Sequence, residues 1–370
     1  MTSADDERFM RQALALGARH LGLTWPNPSV GAVVVAPAGD GPRIVAQGIT
    51  QPGGRPHAEP IALAAAGAAA RGATLYVSLE PCSHHGRSSP CVDVIVASGV
   101  ARVVSALEDP DPRVSGRGHT LIAAAGMAVT NGVLAGEASR LHCGHILRVT
   151  QRRPAVTLKI AQTADGYAAR ASGPRLLITG DLANARTHLM RAHADAVLVG
   201  VGTILSDDPR LTVRLPGLEK RSPIRVVFDS RLRTPQTAYV VRTARDIPTW
   251  IVTAMGEPDE PERRLTEAGV TVMRVEGDET SRIGLLPALR LLAEQGVTRV
   301  FSEGGPSLGG ALAAAGLLDE IVLVTSGSAL AEQGVPALTP PLQAALQTTF
   351  RHVGRETAGA DRFDTFERLC

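Results

Sequence analysis

Apolar residues along this chain of 370 residues form short runs and helix-spaced stripes that alternate in two successive blocks. In the first block, apolar positions at helical spacing predict an amphipathic helix over 7–21, and β-branched runs over 30–35 and 43–47 predict a hairpin. The remaining predicted helices of this block cover 57–70, 92–98, 118–125 and 137–149, and the strands cover 74–79, 101–107 and 128–133. This alternation predicts an α/β fold built on a central sheet.

A polar stretch at 150–154, Thr-Gln-Arg-Arg-Pro, separates this block from a second α/β block. Strands are predicted there over 155–160, 194–199, 224–228, 248–252, 270–274, 299–301 and 320–324, and helices over 181–192 and 285–295. The chain length also favours two domains over one. We therefore expect a domain over 1–149, a linker over 150–154 and a domain over 155–370.

Composition narrows the class of protein. Hydrophobic residues make up 44% of the chain and charged residues 20%, which is typical of soluble globular proteins. Aromatic residues at 3% argue against a stacking surface for nucleic acid, and a net charge of +2 offers no electrostatic case for a nucleic-acid or membrane partner. Four cysteines are too few for a disulfide scaffold and fit a reducing compartment. With neither a signal-peptide pattern nor a run of about 18 apolar residues, we expect a cytoplasmic protein.

The candidate chemistry lies in His57-Ala58-Glu59, Pro81-Cys82 and Pro90-Cys91. Zinc-dependent nucleobase deaminases bind zinc through one His and two Cys, and a Glu two residues after the His transfers protons without ligating the metal. A catalytic zinc keeps its fourth position open for water. The pattern predicts His57, Cys82 and Cys91 as metal ligands and Glu59 as the catalytic acid and base. A closed structural zinc site, completed by His84 or His85, is the alternative.

The run 81–91, Pro-Cys-Ser-His-His-Gly-Arg-Ser-Ser-Pro-Cys, resembles the signature of the pyrimidine deaminase of riboflavin biosynthesis. That enzyme is usually the N-terminal half of a bifunctional deaminase–reductase, and the segments 26–31 and 108–110 match it as well. The resemblance places four residues around the pyrimidine and the ribose phosphate: Asn27, His84, Arg87 and Asp109. Two positions depart from the family, because Thr50 stands where His is common and Asp111 where Asn is common.

The second block also resembles this family. Lys159-Ile-Ala-Gln-Thr-Ala-Asp-Gly166 is similar to the first segment of the family's reductase domain, whose fold is that of dihydrofolate reductase. The Gly-rich turn that begins at Glu303 follows a predicted strand and leads into a helix, an arrangement that suits a pyrophosphate. By resemblance, the residues that contact NADPH are Ala161, Leu177, Thr203, Asp207, Gly305, Pro306, Ser307, Leu308, Gly309 and Gly310.

The same resemblance places the reductase substrate against Arg175, Arg191, Leu211, Arg214 and Glu303. Lys159 and Glu303 are expected nearest the chemistry. Arg175 and Leu177 depart from the family, which often has Ser and Trp at these positions. Cys143, with His142 and His145 nearby, is interpreted as structural because no partner motif accompanies it.

These inferences predict a cytidine-deaminase-like three-layer α/β/α domain followed by a dihydrofolate-reductase-like α/β domain. The expected function is zinc-dependent deamination of 2,5-diamino-6-ribosylamino-4(3H)-pyrimidinone 5′-phosphate, then NADPH-dependent reduction of its ribosyl chain. We expect one Zn²⁺ and NADPH as cofactors, a small phosphorylated substrate, and a homo-oligomer, dimer or tetramer, that binds neither nucleic acid nor membrane. Two alternatives are a deaminase of another nucleoside or base, its reductase domain inactive or acting on a different substrate, and a structural zinc module joined to a nucleotide-binding regulatory domain.

Overall fold

The structure is a computed structural model that describes residues 3–39, 41–84, 89–172, 176–277 and 282–369. The chain divides into two compact units, Met1–Arg152 (unit 1) and Arg153–Cys370 (unit 2). In the part of the chain that is described, no helix has both the length and the apolar character needed to cross a bilayer.

Unit 1 contains a five-stranded sheet with the strand order β2-β1-β3-β4-β5. Its strands are β1 (Gly31–Ala36), β2 (Arg43–Ile49), β3 (Thr74–Val77), β4 (Arg102–Ser105) and β5 (Ala128–Asn131). Strand β1 runs antiparallel to β2 and β3, whereas β3, β4 and β5 are parallel. The helices are α1 (Ser3–Ala18), α2 (Ala58–Ala66), α3 (Cys91–Ser98), α4 (Arg117–Ala124) and α5 (Ala135–Gln151).

Alternation along the central strands builds a core on each face of this sheet. Val34 and Leu75 pack on one face with α2, α3 and α4, and Val33 and Tyr76 pack on the other with α1 and α5. Neighbouring residues of a strand point to opposite faces, so both faces are covered by helices. Unit 1 is therefore a three-layer α/β/α domain, as predicted.

Unit 2 contains a nine-stranded sheet with the order β11-β10-β9-β8-β12-β6-β13-β16-β15, and a two-stranded ribbon of β7 and β14. The strands are β6 (Ala155–Gln162), β7 (Tyr167–Arg170), β8 (Ala196–Gly200), β9 (Ile224–Phe228), β10 (Thr249–Ala254), β11 (Thr271–Val275), β12 (Arg299–Ser302), β13 (Glu320–Thr325), β14 (Gly334–Pro336), β15 (Phe350–Ala358) and β16 (Asp361–Arg368). The helices are α6 (Asp181–Ala192), α7 (Val201–Asp207), α8 (Tyr239–Arg242), α9 (Asp259–Glu267), α10 (Leu285–Glu294), α11 (Pro306–Ala314) and α12 (Pro340–Thr348).

Strands β8, β12 and β6 lie side by side and run parallel. Their carboxyl ends therefore meet at one edge of the sheet, which in open α/β sheets is where ligands bind. On β6, Ala161 packs with α6, whereas Leu158 faces Gly309 of α11. Helices thus cover both faces of the sheet at this edge.

The structure also contains elements that the hydrophobic pattern did not predict. The hairpin of β15 and β16 is the longest of them, and β15 is exposed along most of its length. Its polar sequence, Phe-Arg-His-Val-Gly-Arg-Glu-Thr-Ala, lacks the apolar alternation that marks a half-buried strand. Helix α9 was missed for a similar reason, because Leu265 is its one buried residue.

Candidate active sites

The three predicted metal ligands come together at the starts of two helices and in one loop. His57 is the N-cap residue of α2, Cys91 is the first residue of α3, and Cys82 lies in the loop after β3. Nδ1 of His57 lies 3.3 Å from Sγ of Cys91 and 3.6 Å from Sγ of Cys82. All three donor atoms lie within 4.8 Å of one another.

These donors fit a zinc ion. Tetrahedral zinc with its usual bond lengths to nitrogen and sulfur separates those two atoms by about 3.6 Å. One imidazole and two thiols are also the donor types that zinc prefers. Among the described residues, this is the only group of three or more His, Cys, Asp or Glu side chains with such geometry. His84 is not part of it, and His85 lies outside the described residues.

The local electrostatics favour a thiolate at Cys82. A hydrogen bond from Cys91 and a further one from His57 lower the pKa of Cys82 to about 4, against the effect of burial. The hydrogen bond between Cys91 and Cys82 raises the pKa of Cys91, and the hydrogen bond between His57 and Cys82 raises the pKa of His57. The backbone N–H of Cys91 also donates to Sγ of Cys82 at 3.3 Å.

Glu59 lies in the first turn of α2 and is buried, with 3% of its surface exposed. Burial raises the pKa of its carboxyl group, and the charge of Cys82 adds to this effect. A carboxyl group whose pKa is shifted towards neutrality can both accept and deliver a proton near pH 7. The site thus combines three zinc-type donors with one acid–base group.

The substrate residues predicted in unit 1 have different surroundings. The Asn27 amide donates to the carbonyl of Gly54 at 2.9 Å, and Gly54 has φ of +83°. A Cβ at Gly54 would lie 2.5 Å from Nδ2 of Asn27, so only glycine fits there. His84 is half-buried, and its buried Nδ1 has no hydrogen-bond partner among the described residues. Arg87 lies outside the described residues.

The two residues of unit 1 that depart from the family pattern, Thr50 and Asp111, both form hydrogen bonds within unit 1. The Thr50 hydroxyl accepts the backbone N–H of Val30 at 3.0 Å, and a nitrogen of His20 lies 2.7 Å from the Thr50 carbonyl oxygen. Asp111 accepts a hydrogen bond from Nε of Arg113 at 2.9 Å, and hydrogen bonds from Arg113 lower the pKa of Asp111 to about 2.

Sequence reasoning missed two residues beside Asp109. Nε2 of His145, on α5, lies 2.9 Å from Oδ1 of Asp109. Glu80, whose side chain is 0% exposed, accepts the backbone N–H of Asp109 at 3.2 Å. The sequence did carry a signal for Glu80, which is a carboxylate directly before Pro81-Cys82 at the end of an apolar run.

The site in unit 2 is organised by an ion pair between Arg191 on α6 and Glu303, which directly follows β12. The guanidinium binds both carboxylate oxygens, Nη2 donating to Oε2 at 2.8 Å, and each side chain is 12% exposed. Burial would raise the pKa of Glu303, but Arg191 and Lys159 outweigh it and lower that pKa. Burial lowers the pKa of Lys159, on β6, against the charge of Glu303.

A second arginine lies next to this pair. The backbone N–H of Arg214 donates to Nδ1 of His188 at 3.2 Å, and Nη1 of Arg191 lies 3.4 Å from the same ring atom. Burial, Arg191 and Arg210 lower the pKa of Arg214, and burial with Arg191 and Arg214 lowers that of His188 to about 4. His188, which sequence reasoning also missed, is therefore neutral between two cations. The arrangement suits a phosphate dianion.

The predicted cofactor residues divide into two groups. Ala161 on β6, Thr203 and Asp207 on α7, and Gly305 at the N-cap of α11 are half-buried around the carboxyl edge of the sheet. A Cβ at Gly305 would meet no atom within 4 Å, so this position is open. Pro306, Ser307 and Leu308 continue into the first turn of α11.

The remaining predicted cofactor residues, and two predicted substrate residues, are buried, lie at the surface or lie outside the described residues. Gly309 and Gly310 are buried, and a Cβ there would press on Leu158 and Thr339 respectively. Leu211, a predicted substrate contact, is 3% exposed with φ of +57°. Leu177 is 81% exposed, and Arg175 lies outside the described residues.

The residues 142–145 do not form a second metal centre among the described residues. Nε2 of His142 lies 3.1 Å from the carbonyl oxygen of Ser78, and Cys143 forms no disulfide with a described residue. His145 contacts Asp109 instead.

Two family models match the chain. The cytidine and deoxycytidylate deaminase zinc-binding region matches residues 3–107, and the RibD C-terminal domain matches residues 154–361. The chain is 38% identical to the riboflavin biosynthesis protein RibD of Escherichia coli, across 94% of this chain and 97% of that protein. It is 40% identical to RibD of Aquifex aeolicus across 88% of each.

Solved structures agree with these matches. RibD of Acinetobacter baumannii has a TM-score of 0.86 and 31% identity, with all of both chains covered. A diaminohydroxyphosphoribosylaminopyrimidine deaminase/5-amino-6-(5-phosphoribosylamino)uracil reductase from Thermotoga maritima has a TM-score of 0.83 and 31% identity, with 99% of each chain covered.

Proposed function

The chain belongs to the RibD family of bifunctional riboflavin biosynthesis enzymes, and we propose that its residues divide two successive reactions between the units described above. It is a zinc-dependent deaminase of 2,5-diamino-6-ribosylamino-4(3H)-pyrimidinone 5′-phosphate and an NADPH-dependent reductase that yields 5-amino-6-ribitylaminouracil 5′-phosphate. We assign the deaminase to residues 1–149 and the reductase to residues 155–370, joined at 150–154. The buried Glu59 beside the His57, Cys82 and Cys91 donors carries the deaminase assignment.

In the deaminase, His57, Cys82 and Cys91 hold zinc, which lowers the pKa of water and so supplies a nucleophile near neutral pH. Glu59 takes one proton from the attacking water and delivers it to the ring nitrogen. It then takes the second proton from the same oxygen and delivers it to the amino group, which leaves as ammonia. Burial suits Glu59 to both tasks because it raises the pKa of the carboxyl group. Asn27, His84, Arg87 and Asp109 bind the pyrimidine and the ribose phosphate.

In the reductase, NADPH supplies the hydride that reduces C1′ of the opened ribose. Glu303 fixes the Arg191 guanidinium through two parallel hydrogen bonds, and Arg191 and Arg214 receive the substrate phosphate. Lys159 lies beside this ion pair, where its ammonium can donate a proton to the oxygen released from the sugar ring. Arg175 and Leu211 complete the substrate contacts.

The half-buried residues at the carboxyl edge of the sheet form the main part of the proposed cofactor site, which also includes the exposed Leu177 and the buried Gly309 and Gly310. We assign NADPH to Ala161, Leu177, Thr203, Asp207, Gly305, Pro306, Ser307, Leu308, Gly309 and Gly310. The open position at Gly305 and the N-terminus of α11 support a pyrophosphate contact there. The exposed Leu177 can cover the cofactor from the solvent side.

One assay tests both reactions and their order. The zinc-loaded protein is supplied with the diaminopyrimidinone ribosyl phosphate and NADPH, and ammonia and NADPH absorbance are followed together. We expect ammonia release first and NADPH oxidation after it. Ammonia without oxidation would contradict the reductase assignment and direct attention to Arg175 and Leu177. Neither signal from folded, zinc-loaded protein would contradict the substrate assignment.

A charge-removing variant tests the phosphate site of the reductase. We expect Arg214→Gln to raise the KM of the phosphorylated intermediate by about tenfold to a hundredfold, because a charge-assisted hydrogen bond to the phosphate is lost. We expect the KM of the same intermediate without its phosphate to stay unchanged. Lys220→Gln serves as the control, because it removes one positive charge from the surface of unit 2. Equal losses for both substrates would contradict a phosphate contact at Arg214.

The proposal also covers the oligomeric state of the protein and its cellular compartment. We propose a cytoplasmic homo-oligomer, either a dimer or a tetramer. Four cysteines, two of them assigned to zinc, are too few for a disulfide scaffold, which supports a reducing compartment. Sedimentation equilibrium of the purified protein tests the assembly, and a monomer at micromolar concentration would contradict it.

A further inference from the structure

Asp109 forms three hydrogen bonds with described residues, one through its backbone and two through its side chain. Its backbone N–H donates to Oε2 of Glu80 at 3.2 Å. Its Oδ1 accepts the backbone N–H of Asp111 at 2.9 Å and a hydrogen bond from His145 at 2.9 Å. Oδ2 has no hydrogen-bond partner among the described residues. The carboxylate is thus fixed through one oxygen, Oδ1.

Glu80 connects this carboxylate to the metal ligands. Besides the N–H of Asp109, its two oxygens accept the backbone N–H groups of Gly116 at 3.0 Å and His119 at 3.2 Å. Glu80 is two residues from Cys82 in the chain. The loop that carries Cys82 and the segment that begins at Asp109 are therefore joined through one buried carboxylate. Backbone donors at the start of α4 stabilise this carboxylate, and Nδ1 of His119 lies 3.8 Å from its Oε1.

His145 reaches Asp109 from α5. Each side chain is 10% exposed. A carboxylate oxygen accepts hydrogen bonds, so Nε2 of His145 is the donor in this contact. Nδ1 of His145 is buried and has no partner among the described residues, so His145 contributes this one bond. Because the bond to Asp109 is its one polar contact in the described part of the chain, the His145 side chain can orient the Asp109 carboxylate.

We propose that Glu80 and His145 are positioning residues of the deaminase that hold the Asp109 carboxylate in register with the His57, Cys82 and Cys91 centre. The proposal rests on the proposed function, in which Asp109 contacts the pyrimidine substrate. Glu80 sets the place of the Asp109 backbone relative to the ligand loop. His145 sets the direction of the carboxylate. Positioning of this kind matters because small displacements of a binding group cost a large part of its effect.

Two variants of His145 test the second half of this proposal. His145→Leu removes the hydrogen bond to Asp109, whereas His145→Gln can place an amide nitrogen near the position of Nε2. We expect His145→Leu to raise the deaminase KM by about tenfold or more with a smaller change in kcat. We expect His145→Gln to recover most of that loss. The reductase activity of the same chain, measured with the deaminated intermediate, is the internal control for folding.

Asp109→Asn separates this inference from the proposed function. If Asp109→Asn raises KM but His145→Leu leaves it unchanged, the positioning role of His145 is overturned and the proposed function stands. If Asp109→Asn leaves KM unchanged, the assignment of Asp109 to the substrate fails. A His145→Leu protein that loses zinc would show a structural role and would also overturn the inference.

Glu80→Gln tests the link to the metal centre by spectroscopy. The substitution replaces one carboxylate oxygen by an NH₂ group. This group then faces at least one backbone N–H, from which it cannot accept a hydrogen bond. In the Co²⁺-substituted enzyme, we expect Glu80→Gln to change the visible absorption of the metal centre and to raise the deaminase KM. We expect His145→Leu to change the KM alone. An unchanged cobalt spectrum and KM in Glu80→Gln would overturn the role of Glu80.

Discussion

Glu59→Gln is expected to slow ammonia release by at least about 10²- to 10⁴-fold, the usual contribution of a general acid–base group. The amide keeps the size of the side chain in its buried place on α2 but can neither accept nor deliver the proton. His57, Cys82 and Cys91 are untouched, so we expect one zinc per chain, measured by metal analysis. NADPH oxidation with the deaminated intermediate is expected to continue at the normal rate.

The same variant separates a catalytic from a structural zinc site. A structural site would keep its zinc in Glu59→Gln and would lose no turnover. Glu137→Gln is a matched control, because it changes an exposed glutamate of unit 1. Normal deamination by Glu59→Gln would therefore contradict the role of Glu59. Loss of zinc along with activity would make Glu59 a residue that maintains the ligand set.

Glu303→Gln is expected to have the largest effect in unit 2. The substitution leaves the Arg191 guanidinium, whose side chain is 12% exposed, without its carboxylate. Breaking a buried ion pair from one side costs about 3–5 kcal/mol, so we expect the free energy of unfolding of unit 2 to fall by that amount. Since Arg191 also loses its orientation, we expect NADPH oxidation to slow by about 100-fold or more. Deamination is expected to remain normal.

Denaturant unfolding and the two activity assays measure these effects. Glu303→Asp is the matched control, because it keeps the charge and shortens the side chain by one methylene group. We expect it to retain more stability and more reductase activity than Glu303→Gln. A normally stable Glu303→Gln protein would contradict the view that the pair is buried and tightly coupled.

The acid sensitivity of unit 2 gives a further check on this ion pair. Arg191 and Lys159 outweigh burial and lower the pKa of Glu303 in the folded protein. Its stabilising contribution is therefore complete above the pKa of an unfolded glutamate, about 4.3, and is lost as the pH falls towards the folded value. We expect Glu303→Gln to lose this part of the acid dependence. An unchanged acid unfolding curve would contradict the shift.

Much of the metal site could be predicted from the sequence because its parts lie at the ends of local elements. His57 and Glu59 begin one helix, Cys91 begins another, and Cys82 follows a strand, so their order in the chain already reflects their chemistry. The buried strands were also predictable, because residues buried on one or both faces must be apolar in a regular pattern. The polar hairpin of β15 and β16 had no such pattern.

What the sequence determined by itself was the pair of α/β domains, the zinc-type donors and the two reactions that the motifs imply. The tertiary structure alone decided which distant side chains support those motifs. Arg191 and Glu303 are 112 residues apart, and His145 and Asp109 are 36 residues apart. Such pairs form only because packing of helices on sheets brings the elements together and removes water from them. No local pattern of hydrophobic and polar residues encodes that proximity, so the roles of His145 and His188 became visible only in the folded chain. Glu80 has a signal in the sequence, its place before Pro81-Cys82, but its contact with Asp109 is visible only in the fold.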